Sequence, residues 1–255
     1  MSTEPLEHRY EVDDGIRLAG HLAAPSRGSS RGAPGLVLCH GFPGGGGGEA
    51  KSAHTYPQLA DRIAADLGWV VLAFNFRGCR PSEGQFSLGG WLADIRSSVD
   101  HLRSEHGVEG VWCAGFGTGG ALAVCAAAGD EDLRGVAAIG APADFGEWAS
   151  NPRRLLRRAR ELGLIREPDF PPALDEWARS LKTARAVDCA GSVAPRPLLL
   201  VHGSEDHLVP VFDARAVGDA YGLPEMRILS GAGHQLRHDP RLVAILLGWL
   251  DRQRY

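Results

Sequence analysis

With 255 residues, 44% hydrophobic and 23% charged, the chain can bury the core of one large domain or two small ones. Its net charge of −4 supplies no global basic field, which argues against nucleic acid as a partner. No stretch has the apolar length of a membrane span, the first residues do not read as a signal peptide, and an odd set of cysteines (39, 79, 113, 125 and 189) argues against a disulfide framework, so a cytoplasmic protein with free thiols is expected.

Read in chain order, short apolar runs alternate with amphipathic stretches. Tyr10 to Ala24 predicts two antiparallel strands around the turn Asp13-Asp14-Gly15. Gly35 to Cys39 reads as a buried strand, Gly44 to Gly48 as a flexible loop, and Leu59, Ile63 and Leu67 as one face of a helix. Trp69 to Phe74 is the next strand, and Trp91, Ile95, Val99 and Leu102 mark the next helix. Val111 to Ala114 predicts a strand and Gly119 to Ala128 a small-residue helix able to pack close to a sheet. Val136–Ile139, Leu198–Val201 and Met226–Leu229 predict further strands. Asp213 to Tyr221 and Pro240 to Leu250 predict helices, the last with Val243, Leu246, Leu247 and Leu250 facing inward. This alternation implies a mainly parallel sheet covered on both faces. Residues 144–190 carry helical stretches and prolines but no strand, and are too long for a simple connection. The expected organisation is a core of 1–143 and 191–255 with a helical cap insertion at 144–190.

Four motifs follow predicted strands. His40-Gly41-Phe42-Pro43-Gly44 can aim a backbone N–H at a developing oxyanion. Phe74 to Gly84 contains Arg77-Gly78 and Ser82. Gly115-Phe116-Gly117-Thr118-Gly119 has the spacing of a nucleophile elbow, G-x-S-x-G, with glycine where the serine stands. Asp206 after one late strand and His234 after the next can meet at the carboxyl edge of the sheet, where a carboxylate holds an imidazole tautomer and steadies its positive charge.

Taken together, these residues resemble the α/β-hydrolase family, close to its dienelactone-hydrolase-like and serine-aminopeptidase-like branches, over about residues 10 to 253. The resemblance implies an α/β-hydrolase fold. It makes Asp206 the triad acid and His234 the base, with the backbone N–H groups of Phe42 and Thr118 as oxyanion donors. Arg77, Gly78 and Ser82 would shape a loop beside the site. The departure is Gly117, the nucleophile position. The expected activity is hydrolysis of esters, lactones or amides, either by a water that His234 activates in the space vacated at Gly117 or with Thr118 or Cys79 as the substitute nucleophile. The competing reading is a catalytically inactive protein that binds a small apolar ligand.

Gly115, Gly117 and Gly120 also satisfy G-x-G-x-x-G, a remote dinucleotide-binding alternative that lacks an acid at the tip of the next strand; Asp144 lies beyond it. His40, Cys79, Phe145, Trp148 and Trp177 are candidates to line a substrate pocket, with Phe170 as a further aromatic of the cap. Arg153, Arg154, Arg157, Arg158, Arg160 and Arg166 read as a solvated helix face, with an anion-attracting rim as the other reading. His202, His207 and His238 read as scaffold or surface. No histidine or cysteine spacing reads as a metal site, and no cofactor is expected. The expected partner is a small apolar or acyl molecule, and the expected assembly a monomer or homodimer.

Overall fold

The computed structural model describes residues 8–25, 32–44 and 48–254, with 48–55 as backbone. A hairpin opens the chain: β1 (His8–Glu11) pairs antiparallel with β2 (Arg17–Ala23), as the Asp-Asp-Gly turn requires. The order then runs β3 (Gly35–Cys39), α1 (Gly48–Leu67), β4 (Val70–Asn75), α2 (Leu88–His106), β5 (Val111–Phe116), α3 (Thr118–Ala128) and β6 (Leu133–Ile139). Four short helices follow: α4 (Gly146–Ser150), α5 (Pro152–Glu161), α6 (Leu174–Ser180) and α7 (Ala186–Cys189). The chain closes with β7 (Leu198–Gly203), α8 (Val211–Tyr221), β8 (Glu225–Leu229) and α9 (Pro240–Arg252).

These strands form one eight-stranded sheet in the order β1-β2-β4-β3-β5-β6-β7-β8. Every pairing from β4 to β8 is parallel, so their carboxyl ends share one edge, where α/β sheets place their sites. Both faces are buried, as the continuous apolar strands demand. Along β4, Val70, Leu72 and Phe74 join one core cluster, and Val71 and Ala73 the other. The first cluster takes Trp91, Ile95 and Val99 of α2 and all the small residues Ala121–Ala127 of α3; the second takes Ile63 of α1 and Leu246 of α9.

Helix ends follow local chemistry. Ser87 caps α2 by accepting from the Gly90 N–H at 3.0 Å, and Gly107 ends it in the left-handed region at φ 59°. Asn151 and Asp239 cap α5 and α9, each followed by proline at the first helical position.

Two expectations change. On α9 the fully buried residues are Leu242, Leu246, Trp249 and Leu250, so Val243 and Leu247 flank the buried stripe rather than forming it. Trp249 occupies that face together with Leu242 and Leu246. Of the loop expected at Gly44–Gly48, residues 45–47 lie outside the described residues and Gly48 already begins α1. The segment expected as a cap, 144–190, contains α4 to α7 and no strand.

Candidate active site

Four loops converge at the carboxyl edge of the sheet. At the tip of β5, Gly117 has φ 52° and ψ −123°, a conformation that strains any residue with a Cβ. Its carbonyl accepts from the N–H groups of Gly120 (3.0 Å) and Ala121 (3.2 Å), turning the chain straight into α3. The neighbouring glycines are required by close packing. A Cβ on Gly115 would lie 2.3 Å from the Gly119 carbonyl oxygen, one on Gly119 2.3 Å from the His40 carbonyl oxygen, and one on Gly120 2.7 Å from the Gly115 carbonyl oxygen. The glycine pattern thus lets the helix sit against the strands. This accounts for Gly115 and Gly120 without the phosphate cradle that a dinucleotide fingerprint would use them for.

Gly117 is different, because a Cβ there has room. It would lie 3.6 Å from His234 Nε2, 3.8 Å from His234 Cε1 and 3.7 Å from the Gly41 Cα, all ordinary contacts. The apex therefore points at the face of His234 that matters chemically. His234 Nδ1 lies 2.8 Å from Asp206 Oδ2. With Nδ1–H donating to that carboxylate, Nε2 presents its lone pair toward Gly117. Asp206 is wholly enclosed, whereas the His234 side chain is 29% exposed and so open to solvent. The other Asp206 oxygen, Oδ1, accepts from the N–H groups of Leu208 and Val209, both at 2.9 Å, which fixes the orientation of the carboxylate. Gly140, after β6, lines the same pair: its φ of 55° favours glycine, and a Cβ there would make only ordinary contacts, 3.7 Å from His234 Nδ1 and 3.8 Å from Asp206 Oδ2. Sequence reading passed over it, although a glycine directly after a strand was the available signal.

The loop after β3 leans over the apex. A Cβ on Gly41 would meet the Phe116 carbonyl oxygen at 3.0 Å. Neither the Phe42 nor the Thr118 N–H is spent in a turn or cap hydrogen bond among the described residues. Thr118 itself is 6% exposed at the start of α3.

His40, expected at the pocket, instead holds this loop from behind. It is buried; its Nδ1 lies 2.7 Å from the Gly41 carbonyl oxygen, and its Nε2 accepts from the Phe76 N–H at 3.3 Å. Both ring nitrogens are therefore used by backbone. Burial, with the Arg237 charge adding to it, lowers the His40 pKa to about 4. The folded chain then binds fewer protons than the unfolded chain between about pH 4 and 6.5, so this residue's contribution is intact above pH 6.5 and fades on acidification. Urea unfolding should show stability falling from pH 6.5 to 4.5, and His40→Gln should flatten that fall by roughly 2–3 kcal/mol.

Cys79, also expected at the pocket and as a substitute nucleophile, is only 6% exposed and packs in the core, shielded from any reacting group. Phe145 and Trp177 are buried, while Phe42 and Trp148 are half-buried. Trp148 stacks on Phe145 with ring centroids 5.1 Å apart and meets Phe42 edge-on at 5.0 Å. Phe42 in turn meets Phe86 at 5.2 Å. The aromatics therefore pack the helical segment onto the loop after β3, and Phe42, Trp148 and Phe170 are the ones that keep accessible surface.

The Arg77 loop is held by a residue that sequence reading missed. Asp94 on α2, fully buried, accepts from the Arg77 backbone N–H (2.8 Å) and Nε (2.8 Å) and pairs with its Nη2 at 2.7 Å. Burial raises the Asp94 carboxyl above its ordinary value even with the guanidinium beside it. Ser82 donates to the Asn75 carbonyl and accepts from the Ala19 N–H. The cap arginines divide. Arg153, Arg154 and Arg157 are exposed. Arg158 donates to the Gly44 carbonyl, Arg160 to those of Pro168 and Phe170, and Arg166 to those of Gly78, Gly84 and Gly163. Arg158 and Arg160 remain exposed, as the solvated-face reading expects, while the half-buried Arg166 is a loop anchor, a correction to that reading. His202 is buried beside the acid, its Nε2 3.4 Å from Asp206 Oδ2 and 2.9 Å from the Val209 carbonyl oxygen.

At this edge of the sheet a glycine-apexed strand–turn–helix faces an acid–histidine pair. The chain belongs to the alpha/beta hydrolase family, whose model matches residues 36–244. It is 27% identical over 211 residues to an uncharacterised protein, YfhR, of Escherichia coli O157:H7, covering 82% of this chain and 65% of that protein. The chain thus spans about two thirds of that relative's length. A monoacylglycerol lipase of Mycolicibacterium smegmatis is 23% identical over 96% of both chains. Among solved structures, Est1E of Butyrivibrio proteoclasticus with ferulic acid bound superposes with a TM-score of 0.73 at 23% identity, covering 96% of each chain. No described helix is long and apolar enough to cross a membrane.

Proposed function

We propose that this protein is a weak acyl hydrolase that attacks esters, lactones or amides with water in place of a serine. The observation that carries the reading is the His234 Nε2, held by Asp206 at the far nitrogen and 3.6 Å from the Cβ position of Gly117. A water over Gly117 occupies the space a serine hydroxyl would take. His234 Nε2 removes its proton while the hydroxide adds to the carbonyl carbon, and the carbonyl π pair moves onto oxygen. The Phe42 and Thr118 N–H groups meet that oxyanion. The imidazolium, steadied by Asp206, then returns the proton to the leaving group as the C–O or C–N bond breaks. Phe42 and Trp148 supply the apolar wall for the acyl chain.

The oxyanion hole and binding alone leave serine hydrolases without their nucleophile about 10³–10⁴ above water, and His234 acting as base on water is expected to add to that floor. Turnover of short acyl nitrophenyl esters by the purified protein should exceed background, and His234→Ala should remove the part that His234 adds. Equal turnover in both proteins would dismiss the reading. Gly117 itself favours a second reading, a non-catalytic binder of a small acyl or apolar molecule. That reading expects no excess turnover, and saturable protection by a substrate-like ester against thermal unfolding.

A further inference from the structure

Far from the elbow, three histidines meet at the other border of the sheet. His8 begins the edge strand β1, while His101 and His106 lie on the last turns of α2. Their ring centroids form a near-equilateral triangle: 5.0 Å for His8–His101, 5.6 Å for His8–His106 and 5.3 Å for His101–His106. One ring nitrogen from each lies within 4.8 Å of the other two, the only such group of potential ligands among the described residues. His8 Nε2 and His101 Nε2 are 2.8 Å apart, and His106 Nε2 is buried with no hydrogen-bond partner. A buried ring nitrogen with nothing to bond calls for an explanation.

We propose that His8, His101 and His106 bind one transition-metal cation of the zinc class, which clips the edge strand to the end of α2. Three imidazoles are the donor set that zinc, copper and nickel prefer, and water completes a tetrahedral shell. Ligand nitrogens about 2.0–2.1 Å from a tetrahedral ion lie about 3.3 Å from one another. The His8–His101 pair need open by only about half an ångström to accept it, and the same ion gives His106 Nε2 its missing partner. With ligand nitrogens up to 4.8 Å apart, the third ring must close by up to about 1.5 Å, while the His101 ring is already positioned. Tyr10 stacks on His101 at 4.4 Å with planes 12° apart, and its hydroxyl is tied to Ser98 at 2.7 Å. Gly107, in the left-handed region, ends α2 directly after His106. The negative charge of Glu105 bears on His101 and His106 and favours a cation there. Burial holds all three imidazoles below their ordinary pKa, which keeps their lone pairs available near neutral pH. The expectation of no metal site was drawn from sequence spacing. Spacing could not show the triangle, because His8 and His101 are separated by 93 positions and meet only in the fold.

The test is calorimetric titration of the untagged full chain with Zn(II), repeated in three variants. One ion per chain with micromolar or tighter Kd is expected. His8→Gln and His106→Gln should each weaken binding at least about tenfold. His234→Ala should leave it within about twofold, because the ion is not at the acid–histidine pair. Wild-type binding weaker than millimolar overturns the proposal. So does binding that His234→Ala removes and His106→Gln does not. Should either glutamine variant fail to fold, X-ray absorption of the Zn(II)-loaded wild type decides: three imidazoles in the first shell support the site, and two or fewer overturn it.

Discussion

Gly117→Ser is expected to raise the hydrolysis of short acyl esters at least about 100-fold over the wild type. The ceiling is the roughly 10⁶ that serine hydrolases lose with their nucleophile. The backbone is already in the elbow conformation, with φ 52° and ψ −123°. The added Cβ meets only ordinary contacts, and the nearest is the His234 Nε2 that would deprotonate the hydroxyl. The surrounding glycines, 41, 115, 119 and 120, stay in place and keep the turn close to its neighbours. The same substitution should cost stability. A side chain held at a positive φ is strained by about 1–3 kcal/mol, and in a domain of this size each kcal/mol lowers Tm by about 2–4 °C. Gain of turnover with a drop in melting temperature is thus the paired signature. A folded variant with unchanged turnover would mean that His234 and the apex are not aligned for chemistry.

The largest loss of stability is expected from Asp94→Ala, about 3–5 kcal/mol in denaturant unfolding. Three Arg77 groups, the backbone N–H, Nε and Nη2, end on this one buried carboxylate. Removing it leaves the guanidinium enclosed, with Asp14 as its other ion-pair partner, and that carboxylate is half exposed. The Arg77 carbonyl accepts from the Trp91 indole N–H, and the Leu164 carbonyl oxygen comes within 2.5 Å of where a Gly78 Cβ would sit. The damage therefore spreads from α2 through the loop to the helical segment. Asp94→Asn keeps the shape and one acceptor and should lose clearly less. Equal losses would point to packing rather than charge as the source.

What the sequence made legible follows from how local each signal is. Strands, helices and their order came from periodicity, because burial on both sheet faces writes continuous apolar runs. The elbow was legible at Gly117 because its neighbours must be glycine, Gly115 and Gly120 for clashes within the turn itself and Gly119 for the close approach of the His40 carbonyl. The Asp206–His234 pair was legible because parallel strands deliver their following loops to one edge. Asp94 was not, since a charge inside the Trp91–Ile95–Val99 stripe has no meaning until Arg77 is folded against it. His40 sits in the right motif, yet a motif does not say which side of a loop a ring occupies; here backbone groups on the buried side claimed both nitrogens. Cys79 was misread for the same reason. The histidine triangle joins segments that share no local pattern at all.

The proposed chemistry requires that His234 and the Gly117 apex form one reacting centre. The most direct measurement is mass spectrometry of the Gly117→Ser protein after exposure to an activated acyl or phosphonate ester, with peptide mapping of the adduct. The expected result is one adduct per chain on the peptide spanning residue 117, lost when His234→Ala is added. An adduct elsewhere, or one at position 117 that forms as fast without His234, would contradict it.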